Sequence, residues 1–172
     1  MRRSIAMIAA MAAIVSNSPA GEPKPGTFGL GWYSATAPVG GRVWLSPQFG
    51  LDLGLGLADE NSGLSVSGTR IHVNVGVPIN VVMTEKANFF IRPGMELQTN
   101  SRTVNGGKES TVIISADLGA EFWMTENLTL SVGHGLQMQQ VTAGTPGNQE
   151  TKFSLTALRA LSFTNVGFHF YF

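Results

Sequence analysis

Seven charged side chains are the groups through which this chain could do chemistry: Arg42, Asp52, Arg70, Arg92, Glu96, Asp117 and Glu121. Each stands in a segment where every second residue is apolar, so each shares a face with glycine and serine rather than with leucine. Asp and Glu could serve as general acids or bases, but no spacing marks a paired-carboxylate site, and the arginines account for them more simply as ion-pair partners. His72, His134 and His169 stand singly, with no second ligand at metal-binding spacing. The chain has no cysteine, which excludes disulfides, thiolate catalysis and Cys-ligated metal. The glycines at 50, 54 and 56 are no nucleotide fingerprint, because no helical pattern follows them. No catalytic, cofactor-binding or metal site is assigned, and the chain does not read as an enzyme.

The elements that must position these charges are strands. Period-two alternation picks out eight, near residues 27–35, 40–45, 49–58, 69–77, 88–98, 112–123, 128–139 and 163–172. In the clearest, Phe49, Leu51, Leu53, Leu55 and Leu57 alternate with Gly50, Asp52, Gly54, Gly56 and Ala58. Pro93 falls inside the fifth and cannot donate to a ladder, so a bulge or a missing hydrogen bond is expected there. The connections alternate in length as an up-and-down barrel requires: 46–48 and 124–127 are short, whereas 59–68, 99–110 and 141–162 are long and polar. Two fit less well, the short link 36–39 and the long one 78–87. The fold class expected is all-β, an eight-stranded antiparallel up-and-down barrel.

Parity alone leaves two arrangements open. A soluble barrel would turn its Leu and Val set inward around an apolar ligand, and a membrane barrel would turn the same set toward lipid. The opposing set, rich in Gly and Ser with isolated charges of both signs, suits a narrow polar interior, and lysine is absent from the expected strands. The seven charges are therefore placed inside. Buried charges persist only when paired, so an internal network joining the arginines to the carboxylates is expected. His72 and His169 share that inward face as satisfied polar groups. Phe28, Trp44, Phe49, Phe89, Phe122, Trp123 and the aromatic tail are expected to form an interfacial girdle at one end.

The two ends of the chain bear on location. Arg2 and Arg3, an apolar run over 5–15, and Ser18-Pro19-Ala20 have the form of an export signal, expected to be cleaved after Ala20. That leaves a barrel domain over 21–172, with nine basic against eleven acidic residues, a balance of −2 that offers no footprint for nucleic acid. The tail, with Phe168, Phe170 and Phe172 on one face, resembles the C-terminal signal of bacterial outer-membrane β-barrels, which implies recognition by the barrel-assembly machinery. In strand count, export signal and tail, the whole chain resembles the small OmpA-like and OmpX-like barrels.

That resemblance is one of architecture and carries no functional residues over. It implies the outer membrane of a Gram-negative bacterium, outer-membrane lipid as surroundings, and a role in envelope structure or surface interaction through extracellular loops. No peptidoglycan-binding domain is expected after Phe172, so wall anchoring is not implied. The alternatives are a narrow pore for ions or small solutes, and a secreted soluble barrel. Some eight-stranded barrels deacylate lipid A with a His and a Ser two residues on; here His134 is followed at that spacing by Leu136, and its parity would face it outward.

Overall fold

The computed structural model describes residues 23–34, 36–62, 66–102, 108–145, 148–156 and 165–172. The expected export signal, 1–20, lies outside the described residues. Ten strands are formed, and no helix occurs among the described residues: β1 (Phe28–Trp32), β2 (Val39–Trp44), β3 (Gly50–Ser62), β4 (Val66–Gly76), β5 (Ile79–Met83), β6 (Ala87–Arg102), β7 (Lys108–Trp123), β8 (Leu128–Thr145), β9 (Asn148–Thr156) and β10 (Asn165–Tyr171).

Three tight turns at one end set the registers. Ser46, Thr84 and Thr125 each open a turn, and each hydroxyl accepts the backbone N–H three residues on, from Phe49, Ala87 and Leu128, at 3.0 Å. A hydroxyl in this position replaces a ladder partner where the chain reverses.

Eight segments close the wall, in the order β1, β2, β3, β4, β6, β7, β8, β10, with β10 paired back onto β1. All pairings are antiparallel. The two remaining strands are continuations. β5 follows β4 down the same edge of β6: Gly76 faces Gly94, and Ile79 faces Ile91, in unbroken register. Val77 N–H donates to the Pro93 carbonyl at 3.0 Å, and proline has no N–H to return. The outcome at Pro93 is thus a missing bond, and the register shift lies further on, between Asn80 and Val82. With β5 in place, the awkward link 78–87 shrinks to the Thr84 turn.

β9 plays the same part at the opposite end, pairing with Gln137–Thr145 of β8 while β10 pairs with Leu128–Gly133. The three links expected to be long loops are mostly hairpin. β3 runs to Ser62 and β4 starts at Val66, β6 runs to Arg102 and β7 starts at Lys108, and β8 reaches Thr145 before β9. Lys108 and Lys152 therefore stand on strands, contrary to the sequence reading, but only in this hairpin end. The tips of these hairpins lie outside the described residues.

The faces separate by parity. Leu51, Leu53, Leu55, Ile71, Ile91, Leu97, Ile114, Leu118, Leu136 and Met138 are exposed on the outside of the wall, and the polar set is buried within it. Phe28, Phe49 and Phe89 are exposed at the turn end as a girdle would be, whereas Trp44 and Trp123 are not: they are 0% and 2% exposed and pack with Tyr171 inside the barrel. Their positions continue the inward parity of Arg42 and Glu121, and ladder geometry overrides the interfacial preference of the indole.

Candidate functional site: a charged plug across the barrel

Arg42 on β2 lies directly opposite Asp52 on β3, and Arg92 on β6 directly opposite Asp117 on β7. The turn that joins β2 to β3 makes the first pairing inevitable once both side chains point inward. Arg42 Nε donates to Asp52 Oδ1 at 2.6 Å and Nη2 to Oδ2 at 3.0 Å, a fork-to-fork pair. Its third nitrogen, Nη1, crosses the interior to Glu121 Oε1 at 2.8 Å. Arg92 Nε donates to the same Asp52 Oδ2 at 2.8 Å, and Nη2 to Asn74 Oδ1 at 2.8 Å, while Nη1 stands 3.7 Å from Asp117 Oδ2. Asp52 is thus shared by two guanidiniums. Glu121 Oε1 also accepts from Thr129 Oγ1 at 2.9 Å and Tyr171 Oη at 3.0 Å.

Five of the seven charges expected inside, Arg42, Asp52, Arg92, Asp117 and Glu121, meet in one cluster, every member at most 4% exposed. Glu96 joins it through Asn74, whose Nδ2 donates to Glu96 Oε2 at 3.1 Å; Glu96 Oε1 takes Gln98 Nε2 at 2.8 Å and lies 3.0 Å from His72 Nδ1. Arg70 lies further along the barrel. It is half-buried on the same face of β4, opposite Ala58 and Asn100, nearer the hairpin end.

Two features of the plug escaped the sequence reading. The first is its floor: Trp44 Nε1 donates to Tyr171 Oη at 3.2 Å, and the Trp123 and Tyr171 rings pack at 5.3 Å with a tilt of 36°, closing the interior toward the turn end. The second is its roof. The short link between β1 and β2 does not project outward but folds into the barrel, with Tyr33, Ser34 and Ala37 buried. Ala37 N–H donates to Ser34 Oγ and Ser34 N–H to the Ala37 carbonyl, a self-contained turn. It fits because β3 presents Gly54 and Gly56 to it. A Cβ on Gly56 would overlap the Thr36 carbonyl oxygen, and one on Gly54 would press into the Tyr33 ring. Tyr33 then reaches down to the plug, its hydroxyl donating to Asn74 Oδ1 at 3.2 Å and its ring lying 5.0 Å from the Arg92 guanidinium. The inward parity of Tyr33 and the glycine alternation were the available signals, but the contact between them is non-local.

The remaining candidates are dispersed. His134 is half-buried on the outer face of β8, opposite Leu118, with Leu136 beside it. His169 is 1% exposed and, unlike His72, has neither ring nitrogen hydrogen-bonded to the protein. Among the described residues no group of three His, Asp or Glu is disposed to hold a metal ion. Phe168, Phe170 and Phe172 are exposed on the outer face of the last strand and just beyond it.

What this arrangement does chemically is fill space with matched charge. Arg42 and Arg92 each donate to more than one acceptor, and removing one member would leave the buried charge of the rest unbalanced, which costs about 3–5 kcal/mol. No protein-family model, no curated protein and no solved structure matches this chain.

Proposed function

We propose that this chain is an integral outer-membrane β-barrel with a sealed polar interior, serving envelope structure or surface interaction through the hairpins at one end. The observation that carries the reading is the continuous outer belt of Leu, Val, Ile and Phe around a wall whose interior is charged. Such a belt far exceeds the isolated apolar patches that soluble monomers expose. Along β7 the outward set from Val112 to Phe122 spans ten residue steps. At the usual rise and tilt, that gives an apolar band of roughly 25 Å, the height of the hydrocarbon zone around bacterial barrels.

Outer-membrane lipid is then the partner of the belt, and the barrel-assembly machinery is the partner of Phe168, Phe170 and Phe172 during biogenesis. The secreted soluble alternative needs an apolar interior for its ligand, and here buried charges, amides and hydroxyls fill the interior between the rings of Phe90, Trp44 and Trp123. The pore alternative needs a continuous path, which the Arg42–Asp52–Arg92 cluster and the inward link over it obstruct.

Cell fractionation together with unboiled electrophoresis tests the proposal. Recovery with the outer membrane and a folded species that migrates differently before and after boiling are the expected results. Purified protein that stays monodisperse in plain buffer without any amphiphile would overturn it.

A further inference from the structure

A small cavity of about 20 Å³ lies inside the plug, bordered by Tyr33, Arg42, Phe90, Arg92, Asp117, Ser131, Gly133 and His169. Apart from the half-buried Val132, which also borders it, the side chains that line the cavity are at most 9% exposed. His169 contributes two ring nitrogens that have no hydrogen-bond partner in the protein, Nδ1 coming no nearer than 4.0 Å to Glu121 Oε1, and Arg92 Nη1 stands 3.7 Å from Asp117; both approaches are too long for a hydrogen bond. An imidazole buried with both nitrogens unsatisfied would cost several kcal/mol, and native interiors seldom carry that cost.

We propose that this cavity is a binding site for a single ordered water molecule, held by His169 and Arg92 beneath the Tyr33 ring. The volume exceeds the roughly 10–15 Å³ that one water needs, and the wall offers the two or more polar partners that hold a water in place. Charge argues against an ion. The guanidiniums of Arg42 and Arg92 repel a cation, the Asp117 carboxylate repels an anion, and neither ion would recover its lost hydration in so small a space. The water supplies a connection between the imidazole of β10 and the arginine of β6.

Gly133 allows the site to be tested without removing a charge. It borders the cavity, and a Cβ built on it would meet its nearest neighbour, the Leu118 carbonyl oxygen, at 3.7 Å, an ordinary contact. Gly133→Ala should therefore fold and displace the water. In isotope-labelled barrel refolded into detergent micelles, the His169 ring protons should show a cross-peak to a long-lived water. That cross-peak should vanish in Gly133→Ala, and the urea midpoint of Gly133→Ala should fall. A dry void would behave in the opposite way: no cross-peak in the parent protein and a raised midpoint in Gly133→Ala, since the methyl would fill empty space. A His169 resonance that shifts with bromide concentration would identify an anion instead, and would equally overturn the assignment.

Discussion

Arg42 and Asp52 are ladder partners on adjacent strands and a two-point ion pair at 2.6 and 3.0 Å. One relationship of backbone and one of side chain coincide, so the hydrogen-bond register of β2 against β3 and the electrostatics of the interior enforce each other. A slip of one residue would turn Arg42 outward into the apolar belt and leave Asp52 beside Arg92 alone. Arg92 and Asp117 repeat the ladder relationship between β6 and β7, with their side chains 3.7 Å apart.

Arg92 ties together the most elements of the plug, touching Asp52, Asn74, Asp117 and the Tyr33 ring. Arg92→Ala is expected to destabilise the folded barrel by about 3–5 kcal/mol, because Asp52 and Asp117 lose a shared counter-charge in a buried setting. Urea titration followed on unboiled gels measures this, and an unchanged midpoint would remove the plug as a source of stability.

The roof depends on absent side chains. Gly56→Val should drive the Thr36 carbonyl out of its seat and cost about 1–3 kcal/mol, the range found for overpacked interiors. Displacement of the link should also make the 33–38 segment newly accessible to protease in detergent, which the parent protein should resist.

Depth within the belt is testable by charge. Leu53 lies at the centre of the apolar alternation from Phe49 to Leu57 and Leu45 at the turn end, both exposed on the outer face. In lipid bilayers Leu53→Arg should cost about 2–4 kcal/mol and Leu45→Arg about 0–1 kcal/mol, following the depth dependence of arginine on a barrel's lipid face. Equal, small effects in reversible unfolding from bilayers would count against membrane insertion.

Tyr171→Phe removes one hydrogen bond to the Glu121 carboxylate and the acceptor of the Trp44 indole N–H. A loss of about 1.5–3 kcal/mol is expected for the bond to the charged group. The blue edge of the Trp44 fluorescence should move as its buried N–H loses its partner, and a silent spectrum together with unchanged stability would show that the floor is held by packing alone.

The strands and the sides on which their residues fall were legible because one wall face is oily and the other polar, so parity alone assigns each position. From there Arg42 and Asp52 could be paired on paper, since only a short turn separates their strands. The hairpin extensions were not legible. Beyond Ile71 on β4 and Leu97 on β6, residues such as Thr69 and Thr99 are polar on the outward side too, so the alternation fades while the backbone pairing continues. Trp44 and Trp123 were assigned by residue type when parity already placed them inside. The fold of the 33–38 link depends on glycines across the barrel on β3, a relationship that no local window contains.

Glu121 receives Arg42 from 79 positions away and Tyr171 from 50, and the Trp44 to Tyr171 bond spans 127. The two links to Tyr171 cannot exist in a sheet that lacks its final strand, and Arg42 meets Glu121 only where the wall has curved to bring β2 across from β7. An incomplete wall would keep Arg42 beside Asp52 but leave Glu121 without Tyr171, so pairing of β10 and completion of the interior network should occur together, as one all-or-none step. The ion cluster thereby penalises every half-assembled intermediate, and the cell is spared a population of open, edge-exposed sheets.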